Sequence, residues 1–462
     1  MSGPSRIVAM MPWVFVASWL RAEPPMNDPD PVPENIASAP TTDVFDLIAP
    51  VVSGGVPQTV PGTQLGPRSR AEEEAPPEVT EPGEWFGGLS YWEWKRLTGD
   101  WAGARTWLEE HGVTIESSFT IEWGDAISGG VGHKWVTRNY FDFNATFDTE
   151  KLFEWKGGTF YVDVASSNTP YDDAFVPVVQ LTSNLEIDGN TFQIANLWYE
   201  QKLFDDLLRM KFGKIDASLE FGYLEAAQGF LNVSALLPTT MYTIPWYPYS
   251  GLGGLAFLYP CDSFYIGGGA FDANDQPAQF LHDDPFNQVW AVGETGLTWK
   301  QIGSLRDGRV SVGGWWDSRE LDRFDGAGVE SPWGVYAVGQ QRLWVPDESA
   351  DASDERGLWI FGQWGYANED VSALSMNYGG GISLHGTLPS RDLDVTGFYV
   401  SSVQFPSGSG ASGNETALEA FYRLAITPAV AFTPDLQYVV NPSGDRNNDD
   451  ALVLTLRLEM SF

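Results

Sequence analysis

Arg209 and Lys211 alternate with Leu208, Met210 and Phe212 in the stretch LLRMKFGK at 207–214. Two-residue spacing puts both cations on one face of a strand and the apolar side chains on the other. The same spacing sends Glu200 and Lys202 to the polar face of the preceding run, Glu294 to that of 288–300, and Arg309 to that of 309–316. In VTIESSFTIEW at 113–123, Glu122 falls opposite Ile121 and Trp123. Facing cations and carboxylates of this kind can build a narrow polar eyelet whose fixed donors and acceptors hydrogen-bond neutral hydroxyls. Taken singly, each of these residues is equally well a solvated wall charge far from any constriction.

The longest gap between patterned runs, 216–252, opens with Asp216 and Glu220 and carries ASLEFGYLEAAQGF and MYTIPWYPYSG. Trp246, Tyr249, Tyr247, Phe221 and Tyr223 supply flat faces on which the C–H side of a sugar ring can stack. A loop of this length is expected to fold into the bore of a large barrel and narrow it. The alternative is a loop that packs on itself around its own aromatics.

No nucleophile, base and orienter assemble from the sequence: G-x-S-x-G, H-E-x-x-H and a phosphate-binding P-loop are all missing. Ser383 and His385 share one face of a run and come nearest to a barrel hydrolase. Neighbours on one strand supply no orienting carboxylate, so an outer-membrane enzyme is disfavoured. The single Cys261 excludes an intrachain disulfide and a thiolate metal cluster. Four histidines, none paired at metal-ligand spacing, argue against a metal site, and no cofactor is expected. SGDRNNDD at 443–450 has the oxygens of a calcium loop without the EF-hand spacing, and reads as an exposed loop. A net charge of −36 makes nucleic acid a poor partner, because phosphate binding needs a basic face.

The elements that must position these residues are strands. Twenty Trp, 17 Tyr, 27 Phe and 49 Gly together suit a large antiparallel barrel, with aromatics at membrane interfaces and glycines in turns. Sixteen alternating runs lie near 113–123, 139–148, 158–166, 191–203, 207–215, 253–259, 263–271, 288–300, 309–316, 333–344, 357–366, 375–386, 391–402, 415–426, 429–440 and 451–462. Gaps after odd-numbered runs are mostly long and those after even-numbered runs mostly short, with 345–356 the exception. That segregation predicts an all-β fold, a 16-stranded antiparallel transmembrane β-barrel with long outer loops and short periplasmic turns.

Residues 1–22 read as a signal peptide, since IVAMMPWVFVASWL is too short to span a bilayer comfortably. Residues 23–90 form an acidic, proline-rich stretch expected to be disordered. Within 91–112, LTGDWAGARTWLEEHG predicts a periplasmic helix of about three turns, capped by Asp100 and stopped by Gly112. The barrel takes 113–462. Its last run, ALVLTLRLEMSF, turns Leu452 to Met460 toward hydrocarbon and Arg457 and Glu459 toward the lumen. Phe462 falls at the periplasmic rim, where aromatic girdles lie.

Three blocks carry a resemblance to a known family. LTGDWAGARTWLEEHGVTIESSFTIEWGDAISGG, KFGKIDASLEFG with QGFLNVSALLP, and GISLHGTLPSRDLDVTGF with the closing segment from Glu415 are similar to the carbohydrate-selective porins of Gram-negative outer membranes, the OprB family. The resemblance covers about 97–462. It implies a sixteen-stranded porin with passive diffusion of mono- or oligosaccharides through a water-filled bore with a cation- or sugar-selective eyelet, the bore that 216–252 is expected to narrow. It also implies outer-membrane lipid and lipopolysaccharide as surroundings, insertion through a C-terminal Phe signal, and a possible homo-oligomer. A porin without sugar selectivity and a structural envelope barrel are the alternatives.

Overall fold

The computed structural model describes residues 90–169, 175–185, 189–273, 285–300, 306–346, 356–386, 389–411 and 413–462. The expected signal peptide and all but the last residue of the acidic stretch lie outside them.

The first nine strands are β1 (Val113–Ser128), β2 (Val136–Asp148), β3 (Gly158–Thr169), β4 (Gly189–Leu203), β5 (Leu208–Ile215), β6 (Gly251–Cys261), β7 (Phe264–Asp272), β8 (Val289–Trp299) and β9 (Gly308–Asp317). A two-stranded sheet of β10 (Leu321–Asp322) and β11 (Val329–Glu330) stands apart from the rest. Then follow β12 (Trp333–Trp344), β13 (Gly357–Ala367), β14 (Met376–His385), β15 (Val395–Gln404), β16 (Asn414–Thr427), β17 (Val430–Val440) and β18 (Ala451–Ser461). All except β10 and β11 close into one sixteen-stranded antiparallel barrel, with β1 paired to β18 at the seam. The sixteen runs expected from alternation are these sixteen strands. The two-residue strands β10 and β11 are too short to show a period.

Burial alternates as the pattern requires, but inside out. Phe141, Phe143, Phe160 and Phe212 are about 40% accessible, while Asp142, Asp163 and Lys211 are at 2% or less. A water-soluble chain would reverse that order. Phenylalanines outside and carboxylates within mean a hydrocarbon surrounding and a polar interior. Among the described residues no helix is long and apolar enough to cross a membrane. The strands make the crossing.

Close wall packing fixes particular glycines. Gly213 on β5 has φ +135°, and a Cβ there would lie 2.2 Å from the Leu197 carbonyl oxygen on β4.

The helix ahead of β1 is shorter than expected. α1 spans only Ala104–Glu110, because Trp101, Ala102 and Gly103 adopt φ of 54°, 57° and 90° and cannot continue it backward. Trp101 therefore lies outside the helix, its ring centroid 4.1 Å from the Arg105 guanidinium carbon. The N-cap position falls to Gly103 rather than Asp100, whose Oδ1 instead accepts from Thr106 N at 3.0 Å and Thr106 Oγ1 at 2.7 Å in the first turn. The segment clasps the seam. Leu97 N donates to Ser461 O at 2.8 Å, Arg105 Nη1 to Phe462 O at 3.3 Å, and Phe462 N to Ser117 O at 2.8 Å.

Candidate pore site

The segment between β5 and β6 runs inside the barrel, held by the inward side chains of the wall. It starts at Asp216, whose N–H donates to Asn196 Oδ1 on β4 at 3.0 Å and whose Oδ1 accepts from Ser218 N at 2.9 Å. Among the described residues Asp216 Oδ2 is buried without a hydrogen-bond partner, and burial pushes the carboxyl up to about 7.

Three residues singled out by their spacing, Arg209, Lys211 and Glu200, next meet Glu220 of the loop. Arg209 Nε donates to Glu200 Oε2 at 2.7 Å, and its Nη2 to both oxygens of Glu220, at 3.0 and 2.8 Å. Lys211 Nζ lies 2.5 Å from Glu220 Oε1, 3.5 Å from Glu200 Oε2 and 3.9 Å from the Trp198 ring centroid. Two cations and two carboxylates, all nearly fully buried, thus balance. Burial alone would raise the Glu220 carboxyl, but Arg209 and Lys211 outweigh it and hold the group below the usual carboxylate range.

Glu294 and Arg309 anchor the next turn. Glu294 accepts from Gly222 N at 2.8 Å, Tyr265 OH at 2.7 Å and Tyr336 OH at 2.9 Å. Arg309 donates to the Tyr223 carbonyl, lies 3.3 Å from Glu225 Oε2, and stands 4.0 Å from Glu294. Further on, Glu419 on β16 accepts from Leu231 N and Asn232 N, and Asn377 on β14 from Thr240 N. The loop has little regular structure of its own, so wall side chains satisfy the backbone groups it buries.

Trp246 and Tyr249 lie on its return, ring centroids 5.0 Å apart and edge to face. Trp246 is 9% exposed and Tyr249 half-buried. Between them Tyr247 OH donates to Asp142 on β2 at 2.6 Å. Glu122 belongs to another part of the wall. It accepts from Arg138 at 3.1 Å and from Arg457 at 2.7 and 2.9 Å, and Arg457 also reaches Asn184 Oδ1 at 2.7 Å.

Asn184 belongs to a second inward segment, 175–185 between β3 and β4, which sequence spacing did not single out. Glu415 on β16 accepts from Val179 N at 3.0 Å and Gln180 N at 2.7 Å. Asn232 Nδ2 donates to Gln180 O at 3.2 Å, joining the two inner segments. The one sequence signal for it was VPVVQL, an apolar run inside an outer gap.

In 443–450, Asp445 accepts from Asn447 N within the turn, and Asp450 accepts from Asn441 N just ahead of it. Ser383 Oγ donates to the Ala226 carbonyl at 2.7 Å, so this hydroxyl holds the inner loop.

A closed sixteen-stranded barrel with a folded-in loop is a porin architecture, and the comparison with known families decides which. The model of the carbohydrate-selective porin, OprB family, matches residues 133–462. The chain belongs to that family. The match begins after the block at 97–130 that resembles the family opening. Porin B of Pseudomonas aeruginosa is 22% identical over 424 residues, covering 80% of this chain and 91% of that protein. The high-pH structure of Pseudomonas putida OprB superposes with a TM-score of 0.72 at 20% identity, covering 80% of this chain and 99% of that one. Its low-pH structure gives 0.54 at 19% identity. This porin is therefore an outer-membrane β-barrel, a channel rather than an enzyme.

Proposed function

We propose that this porin passes neutral sugars by passive diffusion, selecting them at a constriction made by residues 216–250 together with 175–185. The balanced quartet of Arg209, Lys211, Glu200 and Glu220 carries this reading. Its charges are spent on fixing the loop, so the constriction offers oriented polar groups with little net field. Such a bore favours a neutral, many-hydroxyl solute over a bare ion, whose lost hydration needs an opposite charge to replace it. Glu294 with Arg309, and Glu122 with Arg457, act in the same way elsewhere on the wall. Asp216 sets the start of the loop, and Trp246 and Tyr249 offer an aromatic edge on its return.

Purified protein in a planar bilayer should give stepwise conductance that added glucose reduces. A silent bilayer with correctly folded barrel overturns the proposal. Residues 1–22 would direct export, and Phe462 would present the closing strand to the insertion machinery.

A further inference from the structure

Beneath the inner loop, on its periplasmic side, β12–β14 carry a row of inward side chains. Register sets Arg342 beside Trp359, and Trp359 beside Ser383. The loop turn at Glu225 and Ala226 rests on this part of the wall. Ser383 Oγ donates to Ala226 O at 2.7 Å, while Gln340 accepts from Ala226 N at 3.1 Å and donates to Glu225 Oε2 at 2.6 Å. Gln340 precedes Arg342 by two residues on the same face, which puts the turn just above Trp359.

Trp359 itself is half-buried and packs against the core formed by loop and wall. It shares the inward face of β13 with buried Phe361 and Gln363, so its accessible part meets the lumen. Glu225 retains 29% of its side-chain exposure although it pairs with Arg309 at 3.3 Å, and Gln340 is half-buried. Arg342 has its guanidinium carbon over the indole, 5.6 Å from the ring centroid, and pairs with Asp307 at 3.1 Å. An accessible aromatic, an acceptor and an amide therefore share a patch in which each arginine has a carboxylate partner.

We propose that Trp359, Glu225 and Gln340 form a binding subsite for a neutral pyranose ring on the periplasmic side of the constriction. The C–H face of the sugar lies on the indole, and its hydroxyls meet the Glu225 carboxylate and the Gln340 amide. Charge compensation at Arg309 and Arg342 disfavours an anion there. The subsite rests on the channel reading above and adds a second station to it, below the loop rather than at its outer return.

Glucose block of single-channel current tests it, with the sugar added to each side in turn. W359L should weaken block from the periplasmic side roughly fivefold, the worth of one aromatic stacking interaction, while W359F stays within about twofold of wild type. W359A, checked for a folded barrel by its heat-modifiable gel mobility, should behave as W359L. Unchanged glucose block in conducting W359L and W359A channels overturns the subsite and leaves the porin standing. A silent wild-type channel overturns both.

Discussion

Nη2 of Arg209 bridges both carboxylate oxygens of Glu220, at 3.0 and 2.8 Å, and so ties the first turn of the inner loop to the barrel wall. The partner of Glu220 on the next inward position, Lys211, is 1% exposed and shares the same carboxylate. Replacing Glu220 by alanine leaves two buried cations facing Glu200 alone. Losing one member of a buried ionic group costs about 3–5 kcal/mol. E220A should release the loop from β5, raise single-channel conductance and shift selectivity toward anions. The reversal potential in a salt gradient reads the shift; an unchanged potential and conductance would remove Glu220 as the anchor.

Glu415 accepts three backbone N–H groups, from Val179, Gln180 and Ser443. E415Q keeps the shape but loses the charge, and the amide it introduces cannot accept from all three donors as a carboxylate does. Amide hydrogen exchange at Val179, Gln180 and Ser443 should quicken by roughly tenfold or more, while that of the β16 backbone changes little. Equal acceleration along β16 would mean a weakened wall instead of a loosened segment.

Asp216 gives the loop a dependence on pH. Burial pushes its carboxyl up to about 7, so the docked loop keeps a proton that an unfolded chain sheds near pH 4. Its contribution to docking is therefore fully present below about pH 4, falls as pH rises toward about 7, and levels off above that. Amides of 216–220, corrected for intrinsic exchange, should be better protected at about pH 5 than at about pH 8, and D216N should flatten that difference. A D216N profile as steep as wild type would assign the effect to another group.

Arg105 links the segment ahead of β1 to the end of the closing strand, donating to Phe462 O and, at 3.0 Å, to Thr98 Oγ1. Because alanine also removes the stacking on Trp101, R105A should cost about 2 kcal/mol. A lower temperature for loss of the folded band in a heat-modifiability gel reports it. An unaltered transition would show that the clasp adds nothing to the closed seam.

Much of this was legible in the residues. Period-2 alternation placed the strands, and the inward direction of Arg209, Lys211, Glu294 and Arg309 followed from it without tertiary information. Their partners did not. Glu220 meets Arg209 because the loop turns back over β5, and a strand pattern carries nothing about the path of an irregular segment. Segment 175–185 was hidden for the same reason: Phe175, Val176 and Leu185 are wholly buried, yet they sit in a gap whose length alone marked it as an outer loop. The helix expected over 97–112 is shorter in the structure because the backbone at Trp101 and Ala102 takes positive φ, which residue types alone do not announce.

The clasp at the seam also sets an order of events. Arg105 and Phe462 are 357 positions apart, and the β1–β18 ladder joins stretches almost as distant. Neither pairing can exist until the last strand has been made and delivered. Closing so long a loop is entropically costly and slow, so the clasp belongs to the end of assembly. Its formation is a natural timestamp: a probe placed between Leu97 and Ser461 would report the moment at which an open sheet has become a sealed tube.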